Sequence, residues 1–416
     1  MSLDALEARA RELDAADALA PLRARFALPK GVYLCGHSLG AAPLDARARV
    51  IEELDDWETL AVTGHHASRR PWIGYADLLK SSLARLTGAS EREVVAMNGL
   101  TVNLHLMMAS FYAPQGARRC IVIEEGAFSS DRHAVETQLR WHGFGPEALI
   151  EVAPLPGEDL VDESRLEALL AGRGAEIALV LWPGVQFRTG QVFDLARIAR
   201  AAHAAGARCG FDLAHSVGNV PLDLHASGAD FAAWCGYKYL NGGPGALAGA
   251  FVHDRAFDTS PERLAGWWGH EAATRFRMAP GFVPSDGADG WQLSNPPILS
   301  TAPLLASLAL FDDVDLAALR RKSLAMGDLL IAGLDAQFAR ELQLVTPREP
   351  ARRGCQLSLR VTAGPAAGRR LFAALEADGV VTDWREPDII RVAPVPLYNR
   401  YADVVALLRA LRRALS

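Results

Sequence analysis

The sequence predicts an α/β protein in which a large domain on a mostly parallel central sheet precedes a smaller C-terminal α+β domain. Three observations predict it. Short apolar runs alternate with helix-length patterns from about residue 92 to 252, the regularity fails between about 254 and 300, and longer helical patterns with a few strand-like runs fill the rest. Strands alternating with helices of roughly 10 to 15 residues argue a parallel sheet, and such sheets hold ligands at the carboxyl ends of their strands.

Residues 2 to about 20 read as an exposed amphipathic helix, with charge alternating with Ala and Leu at helical spacing, and Leu28-Pro29-Lys30-Gly31 closes that pattern. The apolar run Val32-Tyr33-Leu34 ends in the polar turn Cys35-Gly36-His37-Ser38-Leu39-Gly40. Pro43 to about Val62 reads as a helix with Pro43 in its first turn. Thr63-Gly64-His65-His66 is expected to break it, and adjacent histidines without nearby acids or cysteines do not make a metal site. Trp72, beside Pro71, reads as packing.

The alternation begins with the candidate strand Glu93–Met97. The turn at Asn98-Gly99-Leu100-Thr101 follows, then an apolar helix over Leu104–Tyr112. Thr101 either presents its hydroxyl to an anion or simply caps that helix. Strand Cys120–Ile123 leads through Ala127-Phe128-Ser129-Ser130-Asp131 to a helix over Arg132–Trp141. Strand Ile177–Trp182 is closed by Pro183-Gly184 and followed by a helix over Asp194–Ala205. Cys209–Asp212 and Ala246–Val252 complete the strand-like runs. Thr101, Asp131, Asp212 and Lys238 all fall at or just beyond strand ends, which points to one site.

Asp212 closes one apolar run, and Lys238 follows the next in the apolar, aromatic setting Trp234-Cys235-Gly236-Tyr237-Lys238-Tyr239-Leu240. An unpaired ammonium is costly there, burial lowers a lysine pKa, and a Schiff base removes the mismatch. Asp212 can hold a protonated ring nitrogen or pair with an arginine. By residue type alone the turn Gly242-Gly243-Pro244-Gly245 looks like a phosphate cradle. Gly243-x-Gly245-x-x-Ala248 also matches a dinucleotide fingerprint, but that motif should open a helix, and a strand-like run follows here.

From 254 to 300 the chain is loop chemistry, with Trp267 and Asn295 as candidate contacts. Beyond it, helices are expected over about 301 to 312, 315 to 338 and 366 to 378, and from Tyr401 to the terminus. Strand-like runs lie at Gln343–Val345, Cys355–Val361 and Asp388–Val392.

Composition narrows the function classes. With 416 residues, half of them apolar and 22% charged, the chain can bury a substantial core and is not wholly disordered. A net charge of −6 gives no support to nucleic-acid binding. Five widely spaced cysteines with no CxxC pair suggest neither a disulfide framework nor structural zinc. No stretch reaches the ~18 apolar residues of a membrane span. With no apolar signal core at the start, a reducing cytoplasm is the expected compartment.

A resemblance spans nearly the whole chain. It rests on Gly36-His37-Ser38-Leu39-Gly40, Arg70-Pro71-Trp72, Leu100-Thr101-Val102-Asn103-Leu104-His105, Phe128-Ser129-Ser130-Asp131, Phe211–Gly218, Tyr237-Lys238-Tyr239-Leu240-Asn241, Gly266-Trp267, Ser294-Asn295-Pro296-Pro297 and Arg391–Asn399, in this order. The sequence resembles the kynureninases, within the fold-type-I enzymes dependent on pyridoxal 5′-phosphate (PLP) and like the class V aminotransferases.

The resemblance implies hydrolysis of L-kynurenine, or its 3-hydroxy form, to anthranilate (or 3-hydroxyanthranilate) and L-alanine. It places the enzyme in tryptophan catabolism, the kynurenine pathway that also feeds NAD biosynthesis. It implies that Lys238 carries PLP as a Schiff base, that Asp212 pairs with the pyridinium nitrogen, and that Tyr237 delivers a proton. Phe128 would stack on the ring, with Ser129, Ser130 and Asp131 beside it. Leu100, Thr101 and Tyr237 would hold the phosphate end, and His215 would be a further contact. Trp267 and Asn295 would reach the phosphate from the neighbouring subunit of a homodimer, which demotes the glycine turn to a backbone device positioning Lys238. Arg391 would clamp the substrate carboxylate, while Ser38 and His65 would line the aryl side. Residues 1–42 would form an arm contributing to the small domain and active site, 43–299 the PLP-binding domain, and 300–416 the small domain. Two departures stand out: His37 where the family more often has asparagine, and Pro183 where relatives often supply a hydroxyl.

Overall fold

Buried runs such as Ile177-Ala178-Leu179-Val180-Leu181-Trp182 are apolar on both faces, as a sheet covered by helices on either side requires. The computed structural model describes residues 1–415 except Ser260. Its main sheet has seven strands: β1 Val94–Ala96, β2 Cys120–Glu124, β3 Leu149–Val152, β4 Ile177–Pro183, β5 Arg208–Asp212, β6 Phe231–Trp234 and β7 Gly249–Val252. Their order is β1-β7-β6-β5-β4-β2-β3. Within it β7 runs antiparallel to both its neighbours, and the β6-β5-β4-β2-β3 ladders are parallel. Register aligns the functional ends, with Pro183 opposite Asp212 and Asp212 opposite Ala233.

Several boundaries differ from the sequence reading for local reasons. Strand β3 escapes a periodicity search because it is short, lies beside β2 alone and leaves Glu151 exposed. The helix after β1 starts at Leu100 rather than Leu104, and the one after β2 starts at Ser129. The helix over Leu44–Leu60 has Pro43 as its N-cap, not in its first turn. The helix breaks at Ala61, where φ is 46°, two residues before the break expected at Thr63, and a 3-10 turn over Ala61–Thr63 and a short helix, Gly64–Ala67, follow. The closing helix is Tyr401–Leu415, so the last expected residue, Ser416, lies outside the described residues. Strand β7, and no helix, follows the glycine turn, which removes the context a dinucleotide site needs.

Two apolar cores lie on either side of the main sheet, one including Trp182, Phe211 and Trp234 and the other Met107, Phe111 and Trp291. A separate core joins the four-stranded antiparallel sheet of Leu342–Leu344, Leu357–Val361, Ile389–Val392 and Asp383–Arg385 to the helices Leu316–Gln337, Pro365–Ala377 and Tyr401–Leu415. Leu6 and Ala10 of the N-terminal helix Leu3–Ala15 belong to that core, and Val32–Tyr33 pairs in parallel with Val380–Val381. The first helix therefore ends at Ala15, short of the expected residue 20, and is not exposed all round, because its apolar stripe packs the start of the chain against its end. Helix Ile298–Asp312 instead contributes Leu304, Leu308 and Phe311 to the main-sheet core.

Candidate active site

The carboxyl ends of β2, β4 and β5, the start of helix Leu100–Phe111 and the segment after β6 enclose one cavity. Nine residues named from the sequence line it: Leu100, Thr101, Phe128, Ser130, Asp131, Asp212, His215, Tyr237 and Lys238. Asn98 takes the left-handed backbone conformation with φ 50°, which asparagine tolerates, and Asn103 ties the turn down through the Met97 carbonyl. Gly99 then caps the helix without a side-chain bond, so its first amides face the cavity uncapped. The Thr101 and Ser130 hydroxyls meet at 2.7 Å on the same wall. Free amides at a helix start with hydroxyls beside them suit an anion.

The opposite chemistry comes from three buried acids. Asp212 accepts from the Ala214 amide through Oδ1 at 2.7 Å. Burial first, then the neighbouring Asp212 carboxylate, holds the Asp131 carboxyl well above its ordinary pKa range. Asp131 Oδ1 has no hydrogen-bond partner. Glu124, the last residue of β2, is pushed up to about 8, chiefly by burial, and its Oε2 also lacks a partner. The sequence reading missed Glu124, although it carries the signal that exposed Asp212: an acid closing an apolar run.

Lys238 Nζ lies 3.0 Å from His215 Nε2, 5.9 Å from the Phe128 ring centroid and 6.0 Å from that of Tyr237. Burial first, then the neighbouring Lys238, holds His215 well below its ordinary pKa, so the imidazole is neutral and accepts from Lys238 Nζ. Tyr237 is raised by burial and then by Cys235, and keeps its phenolic proton. Phe128 is 38% exposed, with its ring edge-on to Phe187 at 5.2 Å, so one face remains available for stacking. Pro183 lines the cavity and offers no hydroxyl.

Six residues named from the sequence lie outside this lining. Ser129 is exposed at the start of its helix. Ser38 is half-buried in the turn after Val32–Tyr33, and His65 is exposed with its ring edge-on to Trp72. Trp72 itself is buried and donates to Glu53 at 3.0 Å, in keeping with a packing role. Trp267 and Asn295 are exposed on the irregular segment, and the Trp267 indole donates to the Arg275 carbonyl. Arg391 is fully buried in the small sheet, donating to Asp383 Oδ1 at 3.1 Å and to the Phe187 carbonyl at 2.8 Å. Its Nη2 lies 2.9 Å from Asp383 Oδ1 but out of hydrogen-bond alignment, so those N–H donors are unused. His37, also fully buried, has neither ring nitrogen partnered.

Anion donors on one wall, unpartnered acid oxygens on another and an amine within the cavity match a phosphorylated pyridine aldehyde: phosphate, protonated ring nitrogen and aldehyde carbon. The residues present therefore fit PLP.

Comparison with known proteins shows the fold and the family. The family model for class-V aminotransferases matches residues 33–266, and the kynureninase C-terminal domain model matches residues 319–411. Among solved structures, a C-DES mutant with glycine covalently linked to its PLP cofactor superposes with TM-score 0.80 at 18% identity, covering 94% of this chain and 98% of that one. A cysteine desulfurase from Escherichia coli gives TM-score 0.76 at 19% identity, covering 95% and 98%. At such identities the likeness establishes the fold, that of the PLP-dependent class V aminotransferases. Sequence relatives carry it further. Kynureninase from Xanthomonas euvesicatoria pv. vesicatoria (strain 85-10) is 58% identical over 95% of both chains, and kynureninase from Stenotrophomonas maltophilia (strain K279a) 57% over 94% of both. With the amine, the acids and the helix start gathered in one cavity of that fold, and more than half of all residues shared along nearly the full length, the chain belongs to the kynureninase family.

Proposed function

We propose that this protein hydrolyses L-kynurenine, or 3-hydroxy-L-kynurenine, to anthranilate or 3-hydroxyanthranilate and L-alanine, with PLP as cofactor, as a cytoplasmic homodimer in tryptophan catabolism. The observation that carries the reading is the single cavity in which Lys238 faces Asp212, Asp131 and Glu124, in a chain of the kynureninase family. Among the described residues no helix is long and apolar enough to cross a membrane.

Lys238 would hold the cofactor covalently, Asp212 its ring nitrogen, and Asp131 and His215 its polar edge. Leu100, Thr101 and Ser130 would hold its phosphate with Tyr237, and Phe128 would cover the ring. Trp267 and Asn295 would complete the phosphate end from the neighbouring subunit, a role their exposure on an irregular segment allows. When bound, PLP supplies an electron sink for charge developing on carbon beside the substrate's amino group.

The chain's own groups do the rest. Arg391, held in place by Asp383 and Phe187, would direct its unused N–H donors to the substrate α-carboxylate. Lys238 would move the proton at the substrate Cα. Water would add to the γ-ketone, and Tyr237, still protonated at neutral pH, would deliver a proton as the Cβ–Cγ bond breaks. Ser38 and His65 would line the aryl side. This reading divides the chain into an arm over 1–42, a PLP-binding domain over 43–299 and a small domain over 300–416. The separate core around the four-stranded sheet supports it, with helix Ile298–Asp312 leaning towards the larger part.

The desulfurases of similar fold suggest an alternative, but a desulfurase needs an accessible thiolate. All five cysteines are buried here, and burial pushes the Cys35 thiol up to about 12. The test is direct: incubate the purified protein with PLP and kynurenine and follow anthranilate fluorescence. Turnover is expected, with a loss of ~10³-fold or more in Lys238→Ala. Sulfide release from L-cysteine without anthranilate from kynurenine would replace this reading with the desulfurase one.

A further inference from the structure

The amino-terminal side of β1 carries a second cluster of chemical groups, remote in the fold from the strand ends that build the cavity. Glu93 immediately precedes β1, His253 and Asp254 follow the antiparallel β7 beside it, and His225 comes from the short helix Leu224–Ser227. One ligand atom from each of these four residues lies within 4.8 Å of all the others. His225 Nδ1 is 2.8 Å from Glu93 Oε1, His253 Nδ1 is 3.7 Å from the same oxygen, and His253 Nδ1 is 2.7 Å from Asp254 Oδ1. In a tetrahedron with metal–ligand bonds near 2.0–2.1 Å, neighbouring ligand atoms stand about 3.3 Å apart. The measured separations bracket that value.

Two further features favour a cation. The imidazole rings stack at 4.9 Å with their Nδ1 atoms turned to the same carboxylate, an arrangement that charging both rings would oppose. Glu93 is oriented from behind, because the Ser90 amide and hydroxyl both bond Oε2 at 3.0 Å, while Oε1, which also accepts from the Asp254 amide at 3.1 Å, is directed at the histidines. That is the outer-shell support metal-binding carboxylates use. The guanidinium of the nearby Arg255 donates to the Gly228 carbonyl at 2.8 Å, while its backbone amide donates to His253 Nδ1 at 3.3 Å, so that nitrogen presents a lone pair to the cluster. The molecule offers an internal contrast in Cys35, His37 and Asp383, which also converge within 4.8 Å. There Asp383 already pairs with both Arg391 and Arg385, so a metal ion would displace or face two guanidinium charges.

We propose that Glu93, His225, His253 and Asp254 form a binding site for one Zn²⁺ ion per chain. Two acids and two imidazoles match the borderline character of that ion and cancel its charge. On binding, the proton at His225 Nδ1 leaves to solvent if the ring is charged and passes to Nε2 if it is neutral, and the Arg255 amide yields the His253 Nδ1 lone pair to the ion. Because the ion ties β1, β7 and the Leu224–Ser227 helix together, away from the cavity, its effect falls on stability and not on turnover.

The experiment uses PLP-loaded protein stripped by dialysis against a chelator, then titrated calorimetrically with Zn²⁺ alone and melted with and without it. One ion per chain is expected, with a rise in Tm of about 4 °C at a hundredfold excess over Kd. His225→Ala and Asp254→Asn should each weaken binding by at least ~10-fold and abolish the rise in Tm, while leaving metal-free kynurenine turnover unchanged. Both side chains are about half exposed, so neither substitution hollows a core. Failure of the parent protein to take up a stoichiometric ion, or parental affinity in either variant, overturns the proposal.

Discussion

The cavity at the strand ends and the Arg391 locus in the small sheet both bury charge, but they balance it differently. In the cavity, Glu124, Asp131 and Asp212 surround one lysine, and two of the acid oxygens have no donor. At the second locus, Asp383 and the Phe187 carbonyl already hold the guanidinium. A buried acid without a partner costs free energy that a cationic ligand relieves, whereas a paired arginine is already oriented and gives a ligand mainly geometry. The proposed cofactor end should therefore respond to changes of charge, and the proposed substrate end to changes of shape.

Asp212→Asn tests the first half and carries the largest expected effect. With the carboxylate gone, nothing holds a proton on the ring nitrogen, and kcat/KM should fall by ~10²–10³-fold. Asp131→Asn removes a carboxyl that burial and Asp212 already keep protonated, so its loss should stay within about tenfold. Equal losses in the two variants would show that the acids do not divide the charge in this way.

Arg391→Lys tests the second half with a smaller effect. The charge survives beside Asp383, but the planar fork does not. KM for kynurenine should rise by ~10-fold or more, with kcat within a few-fold, because the interaction is made equally in ground and transition states. A fall in kcat at unchanged KM would move Arg391 from binding into the chemical step.

The same contrast explains what could be read from the sequence. Strands β2, β4 and β5 were legible because burial on both faces leaves continuous apolar runs, and Asp212 because an acid ending such a run is conspicuous. Glu124 ends Cys120-Ile121-Val122-Ile123 in the same way, but an acid at a strand end is as readily a solvated loop residue, and only the fold buries it. The pairing of Arg391 with Asp383 was not legible, since a cross-strand contact depends on the register of Asp383–Arg385 against Ile389–Val392, which residue types do not set. The packing of Leu6 and Ala10 into the C-terminal core is not legible from the residue pattern, because a helix read alone shows an apolar stripe but not what covers it; the expectation of an arm on the small domain comes from the family resemblance alone.

The smallest expected effect isolates the cost of an unpartnered acid from catalysis altogether. The Glu124 carboxyl titrates near 8 when folded, against roughly 4.3 in an unfolded chain. Between those values the folded state binds more protons than the unfolded state, so the slope of stability with pH is negative there. Its contribution is fully present below about pH 4.3 and lost as pH rises through 8. In the cofactor-free protein the urea midpoint should therefore fall between pH 5 and pH 8, with Asp131 adding to the fall in the same direction. Glu124→Gln keeps an oxygen to accept the Gln186 amide, bonded at 3.3 Å, but cannot ionise. It should match the parent midpoint at pH 5 and exceed it at pH 8. PLP should narrow that difference, because a pyridinium in the cavity lowers the free energy of the ionised acids. Identical midpoints for parent and variant at pH 8 would mean that water already satisfies Glu124, and that the cavity holds no electrostatic deficit for a cofactor to fill.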